Sequence, residues 1–165
     1  MKALWFVGDK ETTLLLHLYA REVDAVVFVD PGFYPPQIYD YLIEAERHFG
    51  FKATRVEVET EDFEGKREDW CRYLREDFLL PYLSSTGFSL VYEPLRNPEP
   101  TPSPVKEVFP LKGLSDFEIW RAIKENGLPF CSLYLEGKKY VGCSPSEEKR
   151  KGKTYTQALK NMGYL

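Results

Sequence analysis

Two uninterrupted apolar runs dominate the first thirty residues, Ala-Leu-Trp-Phe-Val at 3–7 and Ala-Val-Val-Phe-Val at 25–29. Apolar residues without alternation mark strands covered on both faces, the habit of a parallel sheet. Between them, residues 11–21 predict a helix. After Asp30-Pro31-Gly32, a turn, Pro36 opens a second helix. That helix places Ile38, Tyr41, Leu42 and Ala45 on one face. Residues 53–58 alternate more and predict a third strand nearer an edge. Residues 66–83 predict one long amphipathic helix, and residues 88–92 a fourth strand. Five prolines in residues 93–104 impose a loop. Residues 105–109 form a short extended piece. Ser115, with Glu118 three residues on, predicts a capped helix that runs to about Glu125 and stops at Asn126-Gly127. A turn-rich stretch, a basic segment and a short helix near residues 156–162 complete the pattern. Strands alternating with helices predict a single α/β domain, a mostly parallel twisted sheet flanked by helices.

Composition supports a packed domain. At 165 residues, with 43% hydrophobic and 15% aromatic content, the chain can fill a core. A net charge of −4 gives no basic field to attract nucleic acid or a membrane surface. No apolar run approaches the roughly 20 residues of a membrane span. The apolar start is too short for a signal peptide, so a cytoplasmic location is expected. Cys71, Cys131 and Cys143 are few and widely spaced, as in reduced intracellular proteins. The prolines and charge-rich helices would suit a thermophile. His17, amid leucines, reads as a core residue.

The candidate chemistry lies where strands hand over to helices. Val7-Gly8-Asp9-Lys10-Glu11-Thr12-Thr13 joins the first strand to a helix whose first turn carries hydroxyls. A helix amino terminus there offers free N–H groups to an anion. The same residues also describe an ordinary strand-to-helix turn.

This turn resembles the Ser-Gly-Gly-Lys-Asp-Ser-Thr loop of phosphoadenosine phosphosulfate (PAPS) reductases and related PP-loop adenine nucleotide α-hydrolases. Gly8, Lys10 and Thr13 match, Glu11 and Thr12 are conservative replacements, and Val7 and Asp9 depart. Asp30, Gly32, Pro36 and Tyr39 follow the spacing of the family's Asp-Thr-Gly and Pro-Glu-Thr-Tyr motif. Trp70-Cys71 resembles its Trp-Cys-Thr segment, and Arg96 stands in a loose version of Gly-x-Arg-x-x-Glu. Leu114-Ser115-Asp116-Phe117-Glu118-Ile119-Trp120 is similar to its Trp-Thr-Asp-x-Asp-Val-Trp. Leu128-Pro129 through Tyr134, and Gly142-Cys143 with Ser146 for the second cysteine, resemble its C-terminal motif. Arg150 and Lys153 fall in its basic Arg-x-Gly-Arg segment.

The resemblance implies an adenine nucleotide α-hydrolase-like domain over residues 1–153, followed by a tail at 154–165. It implies an adenine nucleotide or sulfonucleotide held by Gly8, Asp9, Lys10, Thr12, Thr13, Asp30, Gly32, Arg96, Arg150 and Lys153. Lys10, Glu11 and Cys143 are the catalytic candidates, and ATP with Mg²⁺ on Glu11 the candidate cofactor. The departures pull the other way. The family's C-terminal nucleophilic thiol has no counterpart, and four thiolates for an iron–sulfur cluster are not available. A carboxylate at Asp9 repels a phosphate. Three readings follow: a nucleotide-binding protein, possible as a hydrolase or transferase, without sulfonucleotide reductase activity; a non-catalytic binding or scaffold protein; and a thiol-dependent reductase using Cys143 or Cys71. A homo-oligomer stays open.

Overall fold

In the computed structural model of the chain, residues 1–60, 63 and 67–142 are described. Five strands make one all-parallel sheet: β1 (Lys2–Phe6), β2 (Ala25–Asp30), β3 (Thr54–Glu57), β4 (Leu90–Tyr92) and β5 (Lys106–Val108), in the order β3-β2-β1-β4-β5. The two apolar runs are neighbours, with Ala3 opposite Ala25 and Phe6 opposite Phe28. The extended piece at 105–109 is a fifth strand, paired to β4 with Val91 opposite Glu107. Two strands lie on each side of β1, β2 and β3 on one and β4 and β5 on the other. The chain therefore changes direction between β1 and β4, and the crevice at their carboxyl ends is where such sheets place ligands.

The continuous apolarity of β1 and β2 has its counterpart in two cores. Leu4, Phe6, Val26 and Phe28 face one layer, built by α1 (Lys10–Tyr19), α2 (Pro36–Phe49) and α5 (Asp116–Glu125). Ala3, Trp5, Val7, Val27 and Val29 face the other, where Trp70, Leu74, Leu79 and Leu83 pack. In that second layer Trp70 meets Phe63 and Phe33 edge to face, with centroids 5.0 and 5.5 Å apart.

Two expectations need correction. The segment expected as one helix over 66–83 is α3 (Arg67–Tyr73), a π-helical stretch (Leu74–Leu79) and α4 (Leu80–Ser85). Leu80 N–H reaches back five residues to the Arg75 carbonyl, and Pro81 follows with no N–H to give. Hydrophobic periodicity does not register such a widening. His17 is exposed rather than buried in the core: the buried face of α1 ends at Leu16, and Leu18 is also exposed. His17 lines a groove of about 280 Å³ with Arg21 and His48.

Candidate functional site: a self-paired loop at the sheet crossover

The loop after β1 turns at Gly8, whose φ of +98° suits glycine. A Cβ there would also lie 3.2 Å from Ile38 Cδ1, so α2 presses against the turn. Asp9 is the N-cap of α1. Its Oδ1 accepts from Thr12 N–H at 2.8 Å and from the Thr12 hydroxyl at 2.6 Å. Thr12 Oγ1 in turn accepts from Val7 N–H and Gly8 N–H, each at 3.2 Å. Lys10 N–H donates to the Tyr134 hydroxyl at 2.8 Å, and Thr13 N–H to the Asp9 carbonyl at 3.2 Å. The Thr13 hydroxyl donates to the Pro129 carbonyl at 3.0 Å and is bonded to the Tyr41 hydroxyl. Asp9, Lys10, Glu11, Thr12 and Thr13 are all buried. The N–H groups of Val7, Gly8, Lys10, Thr12 and Thr13, which in an open loop would face an anion, are thus spent on the protein itself.

The charges are also matched internally. Glu11 Oε1 lies 3.0 Å from Lys10 Nζ and 3.2 Å from Arg96 Nε. Asp116 Oδ1 lies 3.5 Å from Lys10 Nζ and 2.6 Å from Arg96 Nη2. Two cations and two carboxylate oxygens alternate in a ring. The sheet order explains the meeting: Lys10 and Glu11 follow β1, Arg96 follows β4, and these strands are neighbours. Asp116 comes from the first turn of α5, fixed by Ser115. Ser115 Oγ accepts from Glu118 N–H at 3.1 Å, and Glu118 Oε1 accepts from Ser115 N–H at 3.2 Å. Arg96 also donates to the Leu114 carbonyl at 3.1 Å, tying its loop to the entry of α5.

Burial raises the Asp9 carboxyl, and the Glu11 carboxylate adds to the effect. Together they carry it to about 7, against the lowering by the Thr12 hydrogen bonds and Lys10. Glu11, the candidate Mg²⁺ ligand from the motif, is ion-paired with two cations, Lys10 and Arg96. That donor environment does not suit a divalent ion, since the ion would have to displace both. Among the described residues no group of three or more His, Cys, Asp or Glu is arranged to hold a metal.

Asp30 and Gly32 are placed differently. Asp30 Oδ1 accepts from Gly32 N–H at 2.8 Å and from Tyr39 OH at 2.7 Å, and Oδ2 accepts from Arg55 Nε at 2.5 Å. Asp30 thus knits β2 to α2 and β3. Beside it, Gly32, Glu57 and Glu59 line an open cleft of about 480 Å³. Gly142 comes back to the loop: a Cβ there would lie 2.6 Å from Val7 Cγ1 and 2.9 Å from the Val7 carbonyl oxygen. Cys143, Arg150, Lys153 and the tail at 154–165 lie outside the described residues. Cys71 is buried in the second core. Cys131 is buried in the first, where its thiol donates to the Gln37 carbonyl at 3.6 Å and burial pushes it up to about 11.

Sequence reasoning missed Tyr134, Tyr41 and the ion-pairing of Asp116. Asp116 stands inside a recognised motif, but its pattern pointed only to a helix start. Tyr134 is 124 residues from the N–H it accepts. Nothing in the local pattern joins them.

The five-stranded parallel sheet with its crossover crevice has the adenine nucleotide α-hydrolase-like fold. A family model, the phosphoadenosine phosphosulfate reductase domain, matches residues 93–149, so the chain is similar to that domain over this stretch. The fold is shared with a phosphoadenylyl-sulfate (PAPS) reductase from Candida auris, solved as a phosphate complex. That chain is 16% identical, with a TM-score of 0.60 over 86% of this chain and 80% of that one. A predicted subunit of tRNA methyltransferase from Methanocaldococcus jannaschii DSM also aligns, at 12% identity and a TM-score of 0.49 over 93% of this chain and 96% of that one. No curated protein matches the chain. Among the described residues no helix is long and apolar enough to cross a membrane.

Proposed function

We propose that this PAPS reductase-like domain is a non-catalytic binding or scaffold protein whose phosphate seat is closed by its own carboxylates. One observation carries the reading: the Asp9 carboxylate caps α1 at 2.8 Å from Thr12 N–H, in the place where an anion would meet the helix amino terminus. The ring of Lys10, Glu11, Arg96 and Asp116 extends the same closure to the side-chain cations. Buried, mutually satisfied charges fix a structure, and freeing one leaves its partner uncompensated.

The test is enzymatic and direct. The purified chain is incubated with PAPS or adenylyl sulfate and a dithiol donor, and sulfite is measured. The expected result is no release above the protein-free control. Robust turnover would overturn the reading.

A second reading, an adenine-nucleotide-binding protein, is favoured by one specific feature. Lys10, Arg96 and the amino terminus of α1 converge at the carboxyl ends of β1 and β4, the crevice where this fold class takes ligands. In this reading Asp9 is a handicap that a ligand must overcome. A thermal-shift titration of the unaltered chain with ATP, with and without Mg²⁺, separates the two: a dose-dependent rise in Tm supports the second.

A further inference from the structure

The four members of the charged ring are not equivalent. The Glu11 side chain is fully buried, and Lys10 and Arg96 are 4% and 13% exposed, whereas Asp116 is 61% exposed. Glu11 sits within α1 under the other charges. Asp116 closes the ring from the solvent side, from the first turn of a helix whose entry is a turn at Gly113, φ +83°, with nothing within 4 Å of where a Cβ would stand. A solute approaching this ring meets Asp116 before it meets either cation.

An anion replaces an anion most readily where the geometry is already made. Asp116 Oδ1 bridges Lys10 Nζ and Arg96 Nη2, as an oxygen of a tetrahedral oxyanion would. With Asp116 withdrawn, the ring keeps its two cations and loses one of its two carboxylates. The arginine fork then offers its outward N–H groups, and the ammonium stays anchored over the Tyr134 ring at 5.7 Å. Glycine at 113 and the exposed first turn give α5 a place to yield. The rest of the helix stays pinned through Ile119 and Ile123, which are buried in the first core.

We propose that Asp116 is a tethered competitor for an oxyanion of the phosphate or sulfate class, which binds between Lys10 and Arg96 when the first turn of α5 releases its carboxylate. The proposal rests on the closed-seat reading and adds a way in. A tethered group presents itself at an effective concentration on the order of millimolar or above. Free oxyanions at lower concentrations therefore lose to it. The natural chain binds weakly, and a change that draws α5 aside, such as a partner engaging the exposed Phe117 beside Asp116, raises affinity without altering either cation.

The experiment titrates inorganic phosphate and, separately, inorganic sulfate into four chains by calorimetry at low ionic strength. These are the unaltered protein, Asp116→Asn, Asp116→Ser and the double variant Arg96→Gln/Asp116→Asn. Serine starts helices well, so it guards against an asparagine variant that folds poorly. Both neutral variants should bind about tenfold more tightly than the unaltered chain or better. The gain should vanish in the double variant and shrink as sodium chloride is added. Equal affinity in the neutral and unaltered chains overturns the proposal, as does a gain that survives loss of Arg96. Failure of the closed-seat reading shows elsewhere, as nucleotide binding or sulfite release by the unaltered chain.

Discussion

Two buried acids decide the residue scale. Asp9 has its carboxyl raised from 3.8 to about 7 by burial and by Glu11. The folded protein therefore holds this proton more tightly than the unfolded chain. The resulting stabilisation is full below pH 3.8 and is lost as pH rises through about 7. Asp9→Asn keeps an oxygen to cap Thr12 and removes the charge. It should flatten that part of the Tm profile between pH 4 and 8, measured by circular dichroism. An unchanged slope would mean that Asp9 does not titrate as described. Glu93 is the second acid. It is fully buried, and burial, with a hydrogen bond to Glu107 and the charge of that residue, raises it to about 10 despite Arg75. Glu107 binds Thr101 N–H at 2.8 Å and Arg75 Nε at 3.5 Å, and Arg75 donates to the Glu99 carbonyl at 2.9 Å. The neutral acid thus belongs to a cluster that holds the proline loop carrying Arg96. Glu93→Gln should raise Tm at pH 8, because a neutral amide need not take up a proton on folding. Glu93→Ala should be less stable than Glu93→Gln by about 1–3 kcal/mol, since only the Gln amide can still donate toward Glu107. Chemical denaturation of both variants checks the pair, and a Gln variant less stable than the parent would contradict the account.

Among the elements, the strands and the capped helices were legible because their signals are local. Continuous apolarity marked β1 and β2, Pro36 opened α2, and Ser115 with Glu118 announced α5. The break in the helix at Leu74–Leu79 was not legible, because a π-helical turn leaves the buried positions Leu74 and Leu79 looking like an ordinary amphipathic stripe. His17 misled for a related reason: leucine neighbours suggested a core position, but the helix turns its last residues outward. Ser115→Ala tests the importance of the α5 cap. It removes the acceptor for Glu118 N–H and should cost about 1 kcal/mol by urea denaturation. Because Asp116 is the next residue, the same variant should loosen the closing edge of the charged ring. Faster amide hydrogen exchange at Asp116 and Phe117, with unchanged exchange in α1, is the expected signature. Uniform exchange rates would detach the cap from the ring.

For the whole molecule, the order of motifs carried the fold further than any motif alone. Gly8, Lys10 and Arg96 were named from resemblance, and the sheet order β3-β2-β1-β4-β5 brings Lys10 and Arg96 onto one carboxylate. What the sequence left unread was closure. That Asp9 turns back on Thr12, that Tyr134 takes the Lys10 N–H, and that Asp116 completes the ring are long-range geometric facts without a local pattern. Asp30, expected near a ligand, also links β2, α2 and β3, through partners no local pattern shows. The central claim is that the chain's own carboxylates hold the seat of a phosphate. Calorimetric titration of ATP with Mg²⁺ into the unaltered chain and into Asp9→Gly tests it most directly. Glycine is a tolerable N-cap, and its introduction frees Thr12 N–H and the Thr12 hydroxyl to face the seat. The account predicts binding by Asp9→Gly at least about tenfold tighter than by the unaltered chain, equivalent to about 1.4 kcal/mol for the lost carboxylate. Equal or weaker binding by Asp9→Gly would contradict it and would make Asp9 a working part of the site.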